Sequence, residues 1–91
     1  MKAYELLDNE DKWIQGNFAT DINGFSVSPT DDNACCWCVV GALMKCYGEG
    51  WREKVDLLYN NKLIPSVRSI TNWNDSSYYH VIYEALKKLD L

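Results

Sequence analysis

The stretch Ala34-Cys35-Cys36-Trp37-Cys38-Val39-Val40-Gly41-Ala42-Leu43-Met44 decides how this chain folds. It holds no charge and no strongly polar side chain. A bilayer span takes about 20 apolar residues, so the stretch is too short to cross a membrane. It must be buried on nearly every side, and its reading is a central helix from about Asp32 to Tyr47. The residues before it suit a helix start. Pro29 stops what precedes, Thr30 or Asp31 can cap free backbone N–H groups, and Asp31-Asp32 favours the positive end of the helix dipole. On that helix, Ala34, Trp37, Cys38, Gly41 and Ala42 share a face rich in small residues, while Cys36, Val39, Val40, Leu43 and Tyr47 form a bulkier one. Gly41 costs about 1 kcal/mol against alanine in a helix interior. A close helix crossing is the expected reason for it.

Upstream, Phe18 to Ser28 reads as a β-hairpin. Asn23-Gly24 is a preferred two-residue turn pair. That turn sets Ile22 opposite Phe25 and Thr20 opposite Val27, with Phe18 continuing the row. These side chains then project to one face, which should dock on the central helix because a lone hairpin is marginal. Residues 2–8 read as a short first helix, and Trp13-Ile14 returns to the core before Gly16. Downstream, Gly48-Glu49-Gly50 ends the central helix. Trp51 to Tyr59 forms an amphipathic helix with Trp51, Val55 and Leu58 inward. Ser66 caps a short helix through Val67, Ile70 and Trp73. Asn74-Asp75-Ser76-Ser77 caps the last helix, about Ser77 to Leu89, with its stripe of Val81, Ile82, Ala85, Leu86 and Leu89.

The expected fold is therefore mostly α: a single small helical domain over 1–91, built around the central buried helix (about 32–47), with one short β-hairpin (about 18–28). With 47% apolar residues, four Trp, six Tyr and two Phe, a chain of 91 residues can build its core without a metal or disulfide. A net charge of −4 with scattered Lys and Arg disfavours nucleic-acid binding. No long apolar leader is visible at Met1–Asp8, so the expected location is the cytoplasm, with reduced thiols.

Four ordered motifs carry a resemblance. They are Trp13-Ile14-Gln15-Gly16; Asp21, Gly24, Val27 and Pro29; Trp37-Cys38 followed by Gly41-Ala42-Leu43; and Trp73-Asn74-Asp75. The set resembles a family of small uncharacterised domains of bacteria and their phages, over nearly the whole chain. The resemblance implies a bacterial or phage source and no established activity. Of the cysteines, only Cys38 falls on its Trp-Cys motif. Cys35, Cys36, Cys46 and His80 lie outside it.

Three chemistries are open to these residues. Cys36-Trp37 resembles the Cys-Trp that begins the central helix of papain-like enzymes, so Cys36 or Cys38 with His80 as base, oriented by Asn74 or Asp75, would make a thiol nucleophile. The chain is far smaller than those enzymes, and a lone histidine beside an apolar helical stripe is more often structural. The cysteines with His80 would supply enough ligands for a metal. On one helix, however, Cys36 points about 100° away from the face shared by Cys35 and Cys38, so the three do not converge. No metal and no cofactor is expected. Gln15, Trp73, Asn74 and Asp75 would suit a small polar ligand, although helix capping accounts for Asn74-Asp75 and core packing for Trp13, Trp37 and Trp73. Tyr78, Tyr79, Trp51 and Tyr59 are too many aromatics to hide in so small a core, and exposed aromatics favour protein interfaces. The leading expectation is a non-enzymatic binding protein whose partner is a protein, a second copy included. Inhibition of a host or defence factor suits a phage-encoded member. The alternatives are the cysteine-dependent enzyme and the polar-ligand domain.

Overall fold

A computed structural model describes all residues, 1–91. It is mostly helical with one short two-stranded antiparallel element, as the sequence predicts. The helices are α1 (Ala3–Leu6), α2 (Val39–Tyr47), α3 (Trp51–Asn60), α4 (Ile70–Ser76) and α5 (Tyr79–Lys88). The strands are β1 (Ala19–Thr20) and β2 (Cys36–Trp37). Helix α2 touches α1, α3 and α4, and its residues Val39 to Leu43 are all buried. Around it, Leu7, Leu58, Ile64, Trp73, Ile82 and Leu86 complete one core cluster. No helix is long and apolar enough to cross a membrane.

The central helix starts later than its sequence suggests. It begins at Val39 rather than near Asp32. Residues 34–38 are not helical: Ala19 pairs with Trp37 and Thr20 with Cys36 in an antiparallel ladder, and Cys35 N–H donates to Thr20 O at 2.9 Å. A short apolar run is equally compatible with a buried strand, because periodicity cannot separate the two. Cys and Trp are indifferent helix formers, and here the strand partner decides. The division of this segment into two helical faces therefore fails for residues 34–38.

Gly41 does mark a close approach, but by the backbone just ahead of β1 rather than by a helix. A Cβ on Gly41 would lie 1.9 Å from Phe18 O. That same carbonyl accepts from Cys38 N at 3.2 Å, so Phe18, the residue just before β1, lies directly over the first turn of α2.

The hairpin at 18–28 forms with its register shifted by one residue. Asp21 N–H donates to Phe25 O at 2.9 Å, Val27 N–H to Ala19 O at 3.1 Å, and Thr20 bridges Ser26. The loop is thus Ile22-Asn23-Gly24, three residues long, with Gly24 at φ +85°. Three-residue loops of this kind end on a left-handed residue, for which glycine is suited. The Asp21 carboxylate selects it, accepting from Asn23 N at 2.9 Å and Phe25 N at 3.0 Å. Because side chains alternate along a strand, a slip of one changes which side chains lie opposite one another. Ala19 and Thr20 are buried, whereas Phe18, Ile22 and Phe25 are exposed.

The later helices also shift. The short helix runs from Ile70, capped by Ser69 through Asn72 N–H, not from a cap at Ser66. Val67 is fully exposed. Asn74 and Asp75 lie in the last turns of α4 and do not cap α5, which begins after Tyr78 without a side-chain cap.

Candidate functional site

Three of the four motifs meet at one corner. Asn9 caps a 3-10 turn over Glu10–Lys12 through Asp11 N–H, which delivers Trp13 beside Trp37, the two forming a parallel bridge. Ile14 N–H donates to Trp37 O at 3.1 Å. Trp13 Nε1–H then donates to Asn74 Oδ1 at 2.8 Å. The same oxygen accepts from Val39 N–H at 2.9 Å, the first backbone donor of α2. Asn74 is thus a helix cap in trans, for α2 rather than α5. Its amide nitrogen donates to Ile14 O at 3.1 Å and Asp75 Oδ1 at 3.0 Å. The residue is fully buried, and no buried side-chain polar atom in the chain lacks a partner.

Gln15 closes the other end of α4. Its Nε2 lies 3.2, 3.0 and 3.2 Å from the carbonyls of Asn74, Asp75 and Ser77, where a helix terminus leaves carbonyls free. Gly16 follows at φ +86° and donates its N–H to Asp75 Oδ1 at 3.0 Å. Gln15, Asn74 and Asp75 are therefore brought together as the sequence anticipates, and hydrogen bonds within the chain occupy Asn74 on both sides. Trp73 is core. Tyr78 and Tyr79 part company. Tyr78 is exposed, whereas Tyr79 packs its ring against Trp13 and donates its hydroxyl to Leu7 O.

A cleft of about 360 Å³ opens beside this corner, lined by Gly16, Phe18, Ser26, Cys38, Thr71 and Asp75 among others. Phe18, Ser26 and Thr71 carry no motif that marks them in the sequence. Phe18 and Ser26 reach the cleft because the chain crosses α2 with Phe18 on Gly41 and folds back at Gly24, and α4 brings Thr71.

The thiols at this corner are not arranged as nucleophiles. Cys38 Sγ accepts from Gly41 N–H at 3.3 Å, so the sulfur serves as the N-cap of α2. Burial pushes its pKa up, against the pull of the Gly41 and Val40 amides, and the Asp75 charge adds to the rise. Burial likewise raises Cys36 and Cys46. His80 stacks on Tyr78 and lines a different depression with Leu63, Val81 and Glu84. No hydrogen bond joins it to Cys36 or Cys38. No three metal-ligating side chains lie close enough together to share one ion.

Residues 1–80 match the model of a family of unknown function, DUF6197. The chain belongs to that family. No curated protein and no solved structure matches it. The match takes in all four motifs of the DUF6197 chain, from Trp13 to Asp75, and stops within α5.

Proposed function

We propose that this is a non-enzymatic binding protein whose partner is another protein, held on the hairpin turn and the cleft beside it. One observation carries this reading. Ile22 is 87% exposed and Phe25 69% exposed, although both are large apolar side chains on a turn fixed by four bonds around Asp21. Apolar side chains held rigidly in water are suited to an interface, because docking removes them from solvent and little ordering entropy is then lost. Phe18, also exposed, carries the same surface to the cleft.

Charge supports a basic partner. Residues 8–33 hold six acidic side chains (Asp8, Glu10, Asp11, Asp21, Asp31, Asp32) and a single basic one, Lys12. The remainder of the chain is close to balanced. Complementary charge of this kind chiefly sets association rate and partner choice. The setting we propose, on the family resemblance, is a bacterial or phage-infected cytoplasm, where inhibition of a host or defence factor is one use for such a surface. A small polar ligand in the cleft is the second reading. Its support is a volume within the usual range for ligand pockets, about 300–1,000 Å³, and the carboxylate of Asp75 at its edge.

A photo-crosslinking residue placed at position 25, with a control at exposed position 53 on α3, tests the proposal in cells of the source organism. The expected result is one discrete protein adduct from position 25, absent from position 53 and lost when Ile22→Ser is added. An adduct of twice the chain mass identifies the partner as a second copy. No adduct from position 25, or the same pattern from both positions, removes the basis for a protein partner.

A further inference from the structure

Cys35 and Cys36 are consecutive, yet their Sγ atoms lie 3.3 Å apart. Consecutive side chains of an extended strand point to opposite faces, so this proximity is not the ordinary geometry of neighbours. It arises where the chain leaves the Asp31–Ala34 turn and enters β2, with Cys35 N–H held by Thr20 O and Cys36 paired to Thr20. Both thiols are free and partly exposed. Cys36 Sγ also approaches Asp11 O at 3.4 Å, which fixes its rotamer toward Cys35. The other two cysteines are separate from this pair: Cys38 Sγ caps α2, and Cys46 lies near the end of that helix.

We propose that Cys35 and Cys36 form a vicinal dithiol that chelates a soft thiophilic centre, trivalent arsenic being the chemical type. Two sulfurs sharing one centre at bond lengths near those of zinc thiolates, about 2.3 Å, must lie within about 4.6 Å of each other. The pair already meets that limit without backbone movement. Since no third His, Cys, Asp or Glu joins them, the site suits a centre satisfied by two thiolates and not a four-coordinate zinc. With an arylarsenous oxide, both S–H bonds and the two bonds between arsenic and oxygen break, and two As–S bonds form. The two protons leave with the oxide as one water. Arsenic stays trivalent throughout and no oxidant is needed.

Phenylarsine oxide is the probe. Intact-mass spectrometry of the native protein should show one adduct, with one water lost relative to protein plus reagent. A dithiol should reverse it at concentrations where a monothiol does not. Cys35→Ser and Cys36→Ser should each weaken binding about a hundredfold, the loss of the second, intramolecular attachment, while Cys46→Ser leaves it unchanged. In the unaltered protein, the arsenical should protect Cys35 and Cys36, and no other cysteine, from a brief maleimide pulse read by peptide mass spectrometry. That measurement stands even where a serine variant does not fold. No adduct on the native protein, protection of Cys46 in place of the pair, or undiminished binding by both serine variants would overturn the assignment.

Discussion

In the corner built by Trp13, Val39 and Asn74, every buried side-chain polar atom has a partner. In the turn from Asp21 to Phe25, the polar backbone is equally well bonded, but the large side chains face water. Both regions are rigid for the same reason, a side-chain oxygen that accepts two backbone or indole N–H groups at once. They differ in what that rigidity serves. At the corner it joins segments 60 residues apart in sequence and shields them from solvent. At the turn it is local and holds an apolar surface outward. The difference places the buried bonds that join distant segments on the motif residues of the corner, and leaves the partner contact proposed above to Ile22 and Phe25, which lie outside the motifs.

Asn74→Ala should produce the largest loss. It removes the acceptor for Val39 N–H and Trp13 Nε1–H and the donor to Ile14 O. Buried groups left unpaired cost about 1–3 kcal/mol each, so roughly 3–5 kcal/mol should disappear from the urea unfolding free energy. Small domains hold about 5–15 kcal/mol in all, so the variant should be partly unfolded under mild conditions. Asn74→Asp keeps the acceptor, loses the donor and sets a second carboxylate against Asp75. It should fall between alanine and the natural residue. A loss below about 1 kcal/mol for the alanine variant would break the comparison, because the corner would then not hold the fold together.

Gly41→Ala should follow, at about 2–3 kcal/mol from forced overpacking. At an unconstrained helical position the same change gains about 1 kcal/mol. Here the new methyl meets Phe18 O, a backbone atom that cannot rotate away and that Cys38 N–H holds in place. The sign of the change in melting temperature therefore reports directly whether the Phe18 backbone lies on α2. A stabilised variant would show that the crossing relaxes easily.

Much of this architecture is legible in the sequence, and the failures have common causes. The helices around Val55 and Ile82 are readable because their apolar positions recur at helical spacing and glycine or polar clusters bound them. The buried spine at 34–44 is readable as buried, but not as half strand and half helix, since an apolar run carries no period of its own. Asn23-Gly24 signals a turn correctly and its register wrongly. The deciding group was the Asp21 carboxylate, whose two backbone contacts favour the longer loop. Asn74 reads as a helix cap and is one, but for a helix 35 residues upstream. Local rules identify what a side chain is suited to do, and only the fold supplies its partner. The cleft was illegible for the same reason: Phe18, Ser26 and Thr71 have no shared pattern before the fold sets Phe18 on α2.

The smallest stability effect belongs to the turn, and it is the most informative about function. Ile22→Ser and Phe25→Ser remove apolar surface that is already in water, so each should change the unfolding free energy by no more than about 0.5 kcal/mol. Had the hairpin docked its apolar face on α2, as its alternation alone suggests, the same truncations would remove buried side chains and cost about 2–5 kcal/mol. The urea midpoint of Phe25→Ser thus discriminates between two registers that differ by one residue. The urea midpoint of Ile22→Ser, read together with the crosslink from position 25, also separates folding from binding. Unchanged stability with a lost adduct means that the apolar side chains serve a partner, whereas a parallel loss of both means that they serve the core.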